Sequence, residues 1–257
     1  MQRITTALLL ALSVALCVVA SSWTPFGTLL GVTDGNVEVF SCHLEPEEEA
    51  LDQDANYVDD IYTGVEWQCV ELARRYLLVN KRVVFGNVDY AFQIFNLTSV
   101  RDVDHDGVHY ALNAYANGGA VRPEVGSLLI WSPYGEMEIT GHVAVVVAVT
   151  DTHVDIVEQN VEDSIWPEGQ KYSRRLQVKQ NATSFFIDKW YEKEVLIGWV
   201  TADLKTQVDA PSVQLATEVE SVGDVALVGF LASIGIFFVA FRHFKDRRPR
   251  HDYDLVQ

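Results

Sequence analysis

Glu66-Trp67-Gln68-Cys69-Val70-Glu71-Leu72-Ala73-Arg74-Arg75-Tyr76 places a cysteine at the start of an amphipathic helix. Leu72, Ala73, Tyr76 and Leu77 recur at three-and-four spacing, so one face of the helix packs inward. Cys69 falls in the first turn, where backbone N–H groups without helical partners and the helix dipole favour an anion. A thiol placed there ionises more readily, and the thiolate is the nucleophilic form. A buried structural cysteine satisfies the same pattern, because free cysteine is among the most buried residue types. The helix is expected to end near Asn80, and a second helix is expected over Val88 to Leu97.

Outward from the helix, the second half of the chain reads as strands. Val125 to Trp131 is a short apolar run between Pro123 and Pro133, hence a buried strand. Gly141 to Val149 is the strongest strand in the chain. Thr150-Asp151-Thr152 is a turn and Val154 to Asn160 the return strand, which makes an antiparallel hairpin. A three-residue loop sets Val149 opposite His153 and His142 opposite Asn160, with Glu158 on the same face within diagonal reach of His142. A two- or four-residue loop turns Glu158 and Asn160 to the other face. In the first register an imidazole has a carboxylate and an amide beside it. Those are the groups that activate a thiol and hold its base. Taken singly, His142 reads better as a structural histidine and Glu158 as a rim carboxylate. Val195 to Val200 is expected as a last edge or closing strand.

The ends of the chain carry addresses rather than chemistry. Met1-Gln2-Arg3, an apolar run to Ala20 and the small residues Ala20, Ser21 and Ser22 read as a secretory signal peptide over residues 1–22. A folded domain is expected over 23–202, followed by a polar, Pro211-containing stalk over 203–223. Val225 to Phe241 is continuously apolar or Gly/Ala/Ser after Asp224, at the short limit for a membrane helix, where about 17–25 residues are needed, and a membrane helix is expected over 224–241. The basic cluster from Arg242 to Arg250 follows it, so the tail 242–257 is expected in the cytoplasm and the domain in the lumen or outside the cell, as a type I membrane protein. Tyr253 to Val256 matches a Tyr-x-x-apolar sorting signal for adaptor binding, which would route the chain to endosomes, lysosomes or the cell surface. Asn96 and Asn181 each open an Asn-x-Thr glycosylation triplet. Asn96 falls in an expected helix, so Asn181 is the better acceptor.

Composition narrows the partners. The chain of 257 residues carries 36 acidic and 19 basic residues, a net charge of −17. That argues against nucleic acid, whose binding rests on phosphate neutralisation. It is compatible with a cationic substrate, although an acidic surface also simply maintains solubility. Of the cysteines, Cys17 leaves with the signal peptide, and Cys42 and Cys69 are expected as free thiols, since one bridge is a poor framework for a domain this large. Asp102-Val103-Asp104-His105-Asp106-Gly107 begins like a calcium loop, but Asn113 stands where the closing bidentate carboxylate belongs, so no metal is expected.

Trp67-Gln68-Cys69-Val70-Glu71-Leu72-Ala73-Arg74-Arg75, Leu128-Leu129-Ile130-Trp131, Gly141-His142-Val143-Ala144 and Glu158-Gln159-Asn160, in that order, resemble the CHAP family of cysteine, histidine-dependent amidohydrolases and peptidases. Within it the chain looks like the amidase domain of bifunctional glutathionylspermidine synthetase/amidase and of trypanothione synthetase. Phe26 to Gly31, Pro167 to Gln170 and Ile197 to Trp199 extend the likeness over most of residues 26–202. The resemblance implies a papain-like α+β fold, with the cysteine helix packed on an antiparallel sheet. It implies Cys69 as nucleophile, His142 as base and Glu158 as the group orienting His142. Asn160 and Arg74 match positions near the substrate, and Gln68 stands beside Cys69 as a further oxyanion donor. The implied reaction is hydrolysis of a peptide-like amide, such as a glutathionyl-polyamine conjugate, through a thioester and without a cofactor. No ligase activity is expected. The alternatives are a peptidoglycan-cleaving amidase or endopeptidase, and a receptor that keeps the fold without turnover.

Overall fold

The structure, a computed structural model, describes residues 24–44 and 54–211. The expected signal peptide, Cys17, much of the Asp- and Glu-rich segment from Ser41 to Asp60 (expected as a solvated acidic loop), most of the stalk, the expected membrane helix at 224–241, Tyr253 and Val256 lie outside the described residues. Among the described residues no helix is long and apolar enough to cross a membrane.

The strands are β1 (Leu29–Val32), β2 (Glu38–Phe40), β3 (Ala55–Val58), β4 (Ile61–Val65), β5 (Val83–Phe85), β6 (Ser99–Asp102), β7 (His109–Ala116), β8 (Leu128–Trp131), β9 (His142–Val149), β10 (His153–Val157), β11 (Arg174–Asn181), β12 (Ser184–Ile187) and β13 (Leu196–Val208); the helix α1 is Cys69–Lys81. Nine strands form one sheet in the order β12-β11-β10-β9-β8-β13-β7-β6-β5, and β1-β2 and β3-β4 are separate hairpins. Adjacent strands of the sheet run antiparallel throughout.

The expected cysteine helix is present. It starts at Cys69 after an extended Gln68 and stops at Arg82, whose left-handed φ of 55° lets its N–H close on the Leu78 carbonyl. Its apolar face, Leu72, Ala73, Tyr76 and Leu77, packs in one core cluster with Leu128, Ile130, Val143 and Val145. The alternate residues of the same strands, Leu129, Trp131, Ala144 and Val146, join a second cluster with Ile156, Phe185 and Trp199. The central strands are therefore buried on both faces, which is why β8 and β9 read as unbroken apolar runs rather than as alternation. At β4, Gly64 lets the hairpin come close to the helix, because a Cβ there would lie 2.8 Å from the Glu71 Cα.

Four expectations change. The second helix is only a 3-10 turn, Ala91–Asn96; Leu97 returns to an extended conformation and leads into β6. The strand expected over Val195 to Val200 is no edge: it lies between β8 and β7 and runs on to Val208, past the expected domain end at 202. A bulge between Asp203 and Gln207, with the Asp203 carboxylate accepting from Lys205 N–H and Thr206 Oγ1, lets its polar end pair again with β7. The end of the acidic loop is structured too, as Asp59 and Asp60 at positive φ turn β3 into β4.

The fourth change concerns the β9–β10 hairpin. Its turn closes from Thr150 N–H to His153 C=O, and Val149 pairs with Val154 rather than with His153. Continued unbroken, that register would send Glu158 to the wrong face. It is not continued: Ala148 pairs with Asp155 but Val146 with Ile156, leaving Val147 unpaired in a β-bulge. Val145 then faces Val157, so the strand ends return to the register that sets His142 and Glu158 on one face.

Candidate active site

Cys69 is the first residue of α1, and the imidazole of His142, first residue of β9, hydrogen-bonds to its thiol. His142 Nε2 lies 2.9 Å from Glu158 Oε2, so the carboxylate holds one ring nitrogen and leaves the other for the thiol. His142 and Glu158 are 1% and 2% exposed. Trp131, opposite His142 on β8, sets its ring 5.5 Å from the imidazole. Gly141 places His142: at φ 63° it brings the chain so close to β8 that a Cβ would lie 2.5 Å from the Trp131 carbonyl oxygen.

The electrostatics favour the ion pair. Burial pushes the Cys69 thiol up, but the His142 charge and hydrogen bond, with the Val143 and Val70 backbone N–H groups, bring it below the ordinary 9.0. Burial likewise disfavours the imidazolium, yet the Cys69 thiolate and the Glu158 carboxylate raise His142 to about 9. Glu158 resists its own burial because the Arg174 and His142 charges hold it at about 2. All three shifts run towards the ion-paired form, with the thiol lowered, the imidazole raised and the carboxylate lowered.

Three consecutive residues after β10 tie the helix to the hairpin. Glu158 holds His142. Gln159 donates its amide to the Gln68 carbonyl (3.3 Å) and to Glu71 Oε2 (3.2 Å). Asn160, at a left-handed φ of 63°, donates to Gln68 Oε1 (3.0 Å). Glu71 is fully buried and also accepts from Arg75 Nε (2.7 Å), Asn56 (2.8 Å) and Thr63 (3.1 Å). Arg75 continues to the Glu38 carbonyl and to Gln159 Oε1, and lies over the rings of Phe40 and Trp67. A buried charge needs this density of partners.

Arg74 sits apart from the thiol chemistry. Its guanidinium is 4% exposed and donates to the backbone carbonyls of Phe85, Thr63 and Gly86, so it ties α1 to β4 and β5. Gln68 is adjacent to Cys69, and its amide donates to Cys42 Sγ at 3.3 Å while accepting from Asn160. Cys42 and Cys69 are both free thiols. In the Asp-rich turn, Asp102 caps the backbone N–H groups of Asp104 and His105, and Asp104 pairs with Arg82, so these carboxylates serve the turn itself. Asn113 lies in mid-strand opposite Thr201. Asn96 ends the 3-10 turn and is exposed; Asn181, also exposed, ends β11 with Oδ1 accepting from Thr183 N–H and Oγ1.

Sequence reasoning missed Arg174. It grips the Glu158 carboxylate at two points, Nε on Oε1 and Nη2 on Oε2, the latter at 2.8 Å. The signal was in the alternation of β11, where Arg174 shares its face with Leu176 and so stands at an inward position.

A nucleophilic thiol at a helix start, an imidazole on an adjoining strand and a carboxylate behind it define the constellation of a cysteine hydrolase. Residues 60–160, which hold all three, match the family model of the CHAP domain. It is similar to the bifunctional glutathionylspermidine synthetase/amidase of Escherichia coli (strain K12), 37% identical over 209 residues, covering 79% of this chain and 33% of that protein. It is also similar to the trypanothione synthetase of Crithidia fasciculata, 32% identical over 181 residues, covering 69% of this chain and 26% of that protein. The chain thus spans about a third or less of the length of these curated relatives.

Proposed function

We propose that this protein is a cysteine amidase that hydrolyses a peptide-like amide, a glutathionyl-polyamine conjugate such as glutathionylspermidine being the favoured substrate. The observation that carries the reading is the unbroken line from the Cys69 thiol through His142 to Glu158. Cys69 attacks the amide carbonyl and His142 protonates the leaving amine. Water, activated by the now neutral His142, then hydrolyses the thioester. The Cys69 backbone N–H, in the first turn of α1, supplies an oxyanion donor. The net charge of −17 suits a cationic leaving amine. In this reading the apolar run at 224–241 anchors the chain, the domain faces the lumen with Asn181 as glycan acceptor, and Tyr253 and Val256 address an adaptor.

The test is to incubate the purified full-length chain with glutathionylspermidine and, separately, with purified murein, using Cys69→Ala as control. Release of glutathione and spermidine by the wild type alone is the expected result. Turnover of murein alone would move the function to cell-wall hydrolysis. Turnover of neither, with Cys69 unreactive to iodoacetamide, would sink the enzymatic reading in favour of a receptor.

A further inference from the structure

Arg174 is 3% exposed, on the inward face of β11. Its register partner is Ile156, so Glu158 lies on the diagonal of the next strand, and His142 lies one strand further on. The three side chains therefore form a row across β11, the end of β10 and β9. The fork of Arg174 occupies both oxygens of Glu158, which leaves the carboxylate no freedom to rotate away from His142. The guanidinium is itself held between the rings of Trp190 (5.5 Å) and Tyr191 (5.2 Å). Tyr191 OH donates to Glu162 Oε1 at 2.8 Å, and Glu194 accepts from Trp190 N–H.

We propose that Arg174 is a positioning residue of the thiol site: its two-point grip fixes the Glu158 carboxylate, and through it the His142 ring, in the orientation that serves Cys69. The inference rests on the reading of Cys69 as nucleophile. The charged and titratable groups facing Arg174 are Glu158 from the end of β10, with His142 behind it, and Tyr191 and Glu194 from the segment before β13. In the ion-paired form, thiolate, imidazolium, carboxylate and guanidinium alternate in sign along a line that is buried from His142 onward. Removing the last cation leaves a net negative charge away from water. The site then relieves it by taking up a proton at the expense of the thiolate.

The experiment follows Cys69 alkylation by iodoacetamide against pH in the full-length chain, read by mass spectrometry of the Cys69 peptide, with a thermal melt of each variant. Arg174→Met should move the midpoint towards alkaline pH by about one unit, slowing alkylation about tenfold near neutrality. Arg174→Gln, equally neutral but polar, should do the same and serves if the Met variant does not fold. Arg174→Lys, which keeps the charge but has no two-point fork, should restore the profile only in part. In a Glu158→Gln background Arg174→Met should add no further shift, because the effect passes through that carboxylate. A lowered melting temperature with an unchanged alkylation profile in the neutral variants would reduce Arg174 to a structural ion pair and overturn the proposal. So would an additive shift in the Glu158→Gln background. A wild-type Cys69 that titrates as an ordinary thiol would instead overturn the nucleophile reading itself, so the two failures are distinct.

Discussion

His142 Nε2 meets Glu158 Oε2 at 2.9 Å although the turn joining their strands sets the opposite parity. Between them the strand absorbs one unpaired residue, Val147. Inserting one alanine after Val147, an extra residue that a single-residue bulge cannot absorb, should carry His142 one position along β9 and turn Glu158 to the opposite face, whereas deleting Val147 should leave the pairing, and the contact, in place. In the insertion variant, loss of the base–carboxylate contact should cost at least about 10²-fold in amide hydrolysis, while far-UV circular dichroism stays near wild type. A folded insertion variant with full activity would exclude the pairing register as what brings His142 to Glu158.

The pH dependence follows from two shifts in opposite directions. Cys69 lies below its usual 9.0 and His142 is raised to about 9, so activity should be bell-shaped. It falls on the acid side as the thiolate is protonated and on the alkaline side as the imidazolium loses its proton near 9. Stability carries the same groups with definite signs. Glu158, depressed from 4.5 to about 2, contributes fully above 4.5, and its contribution is lost as pH falls towards 2. His142, raised from 6.5 to about 9, contributes fully below 6.5, and its contribution is lost as pH rises through 9. Melting temperature should therefore drop at both ends of the scale, and Glu158→Gln should flatten both limbs.

Glu71 accepts from five donor atoms on four residues at no exposure to water. Glu71→Ala strands the Arg75 charge in the interior and should cost about 3–5 kcal/mol, read by urea denaturation. Because Gln159 loses one of its two acceptors, Cys69 reactivity should fall even in molecules that remain folded.

Gly141→Ala puts a Cβ 2.5 Å from the Trp131 carbonyl oxygen at a φ of 63°. The expected cost is about 1–3 kcal/mol of backbone strain. The residue after it is the base, so the loss in amide hydrolysis should exceed the loss in stability. Equal effects would show that strand β9 yields without moving His142.

The helix with Cys69 and the strand with His142 were legible from periodicity and residue type, whereas Glu158 as the partner of His142 rested on an assumed three-residue loop and on the family resemblance. What escaped the sequence was non-local. The bulge at Val147 has no signature in a run of valines, where every residue suits either face. The central place of β13 depends on a partner, β7, more than 80 residues earlier in the chain. Arg74 was expected near the substrate only from the family resemblance, but the pitch of the helix turns it onto β4 and β5. Arg174 was legible in principle, as a cation at an inward strand position, yet only the folded sheet shows which carboxylate it meets.

Glu158, Gln159 and Asn160 send three side chains in succession to the base, to the backbone ahead of the nucleophile and to the Gln68 amide. Three contacts of the site are here written on a single tripeptide. A shift of that tripeptide by one position would misplace all of them at once. Drift of helix against hairpin is therefore checked at the same place where the chemistry is aligned, and a partly assembled site has no stable form to occupy.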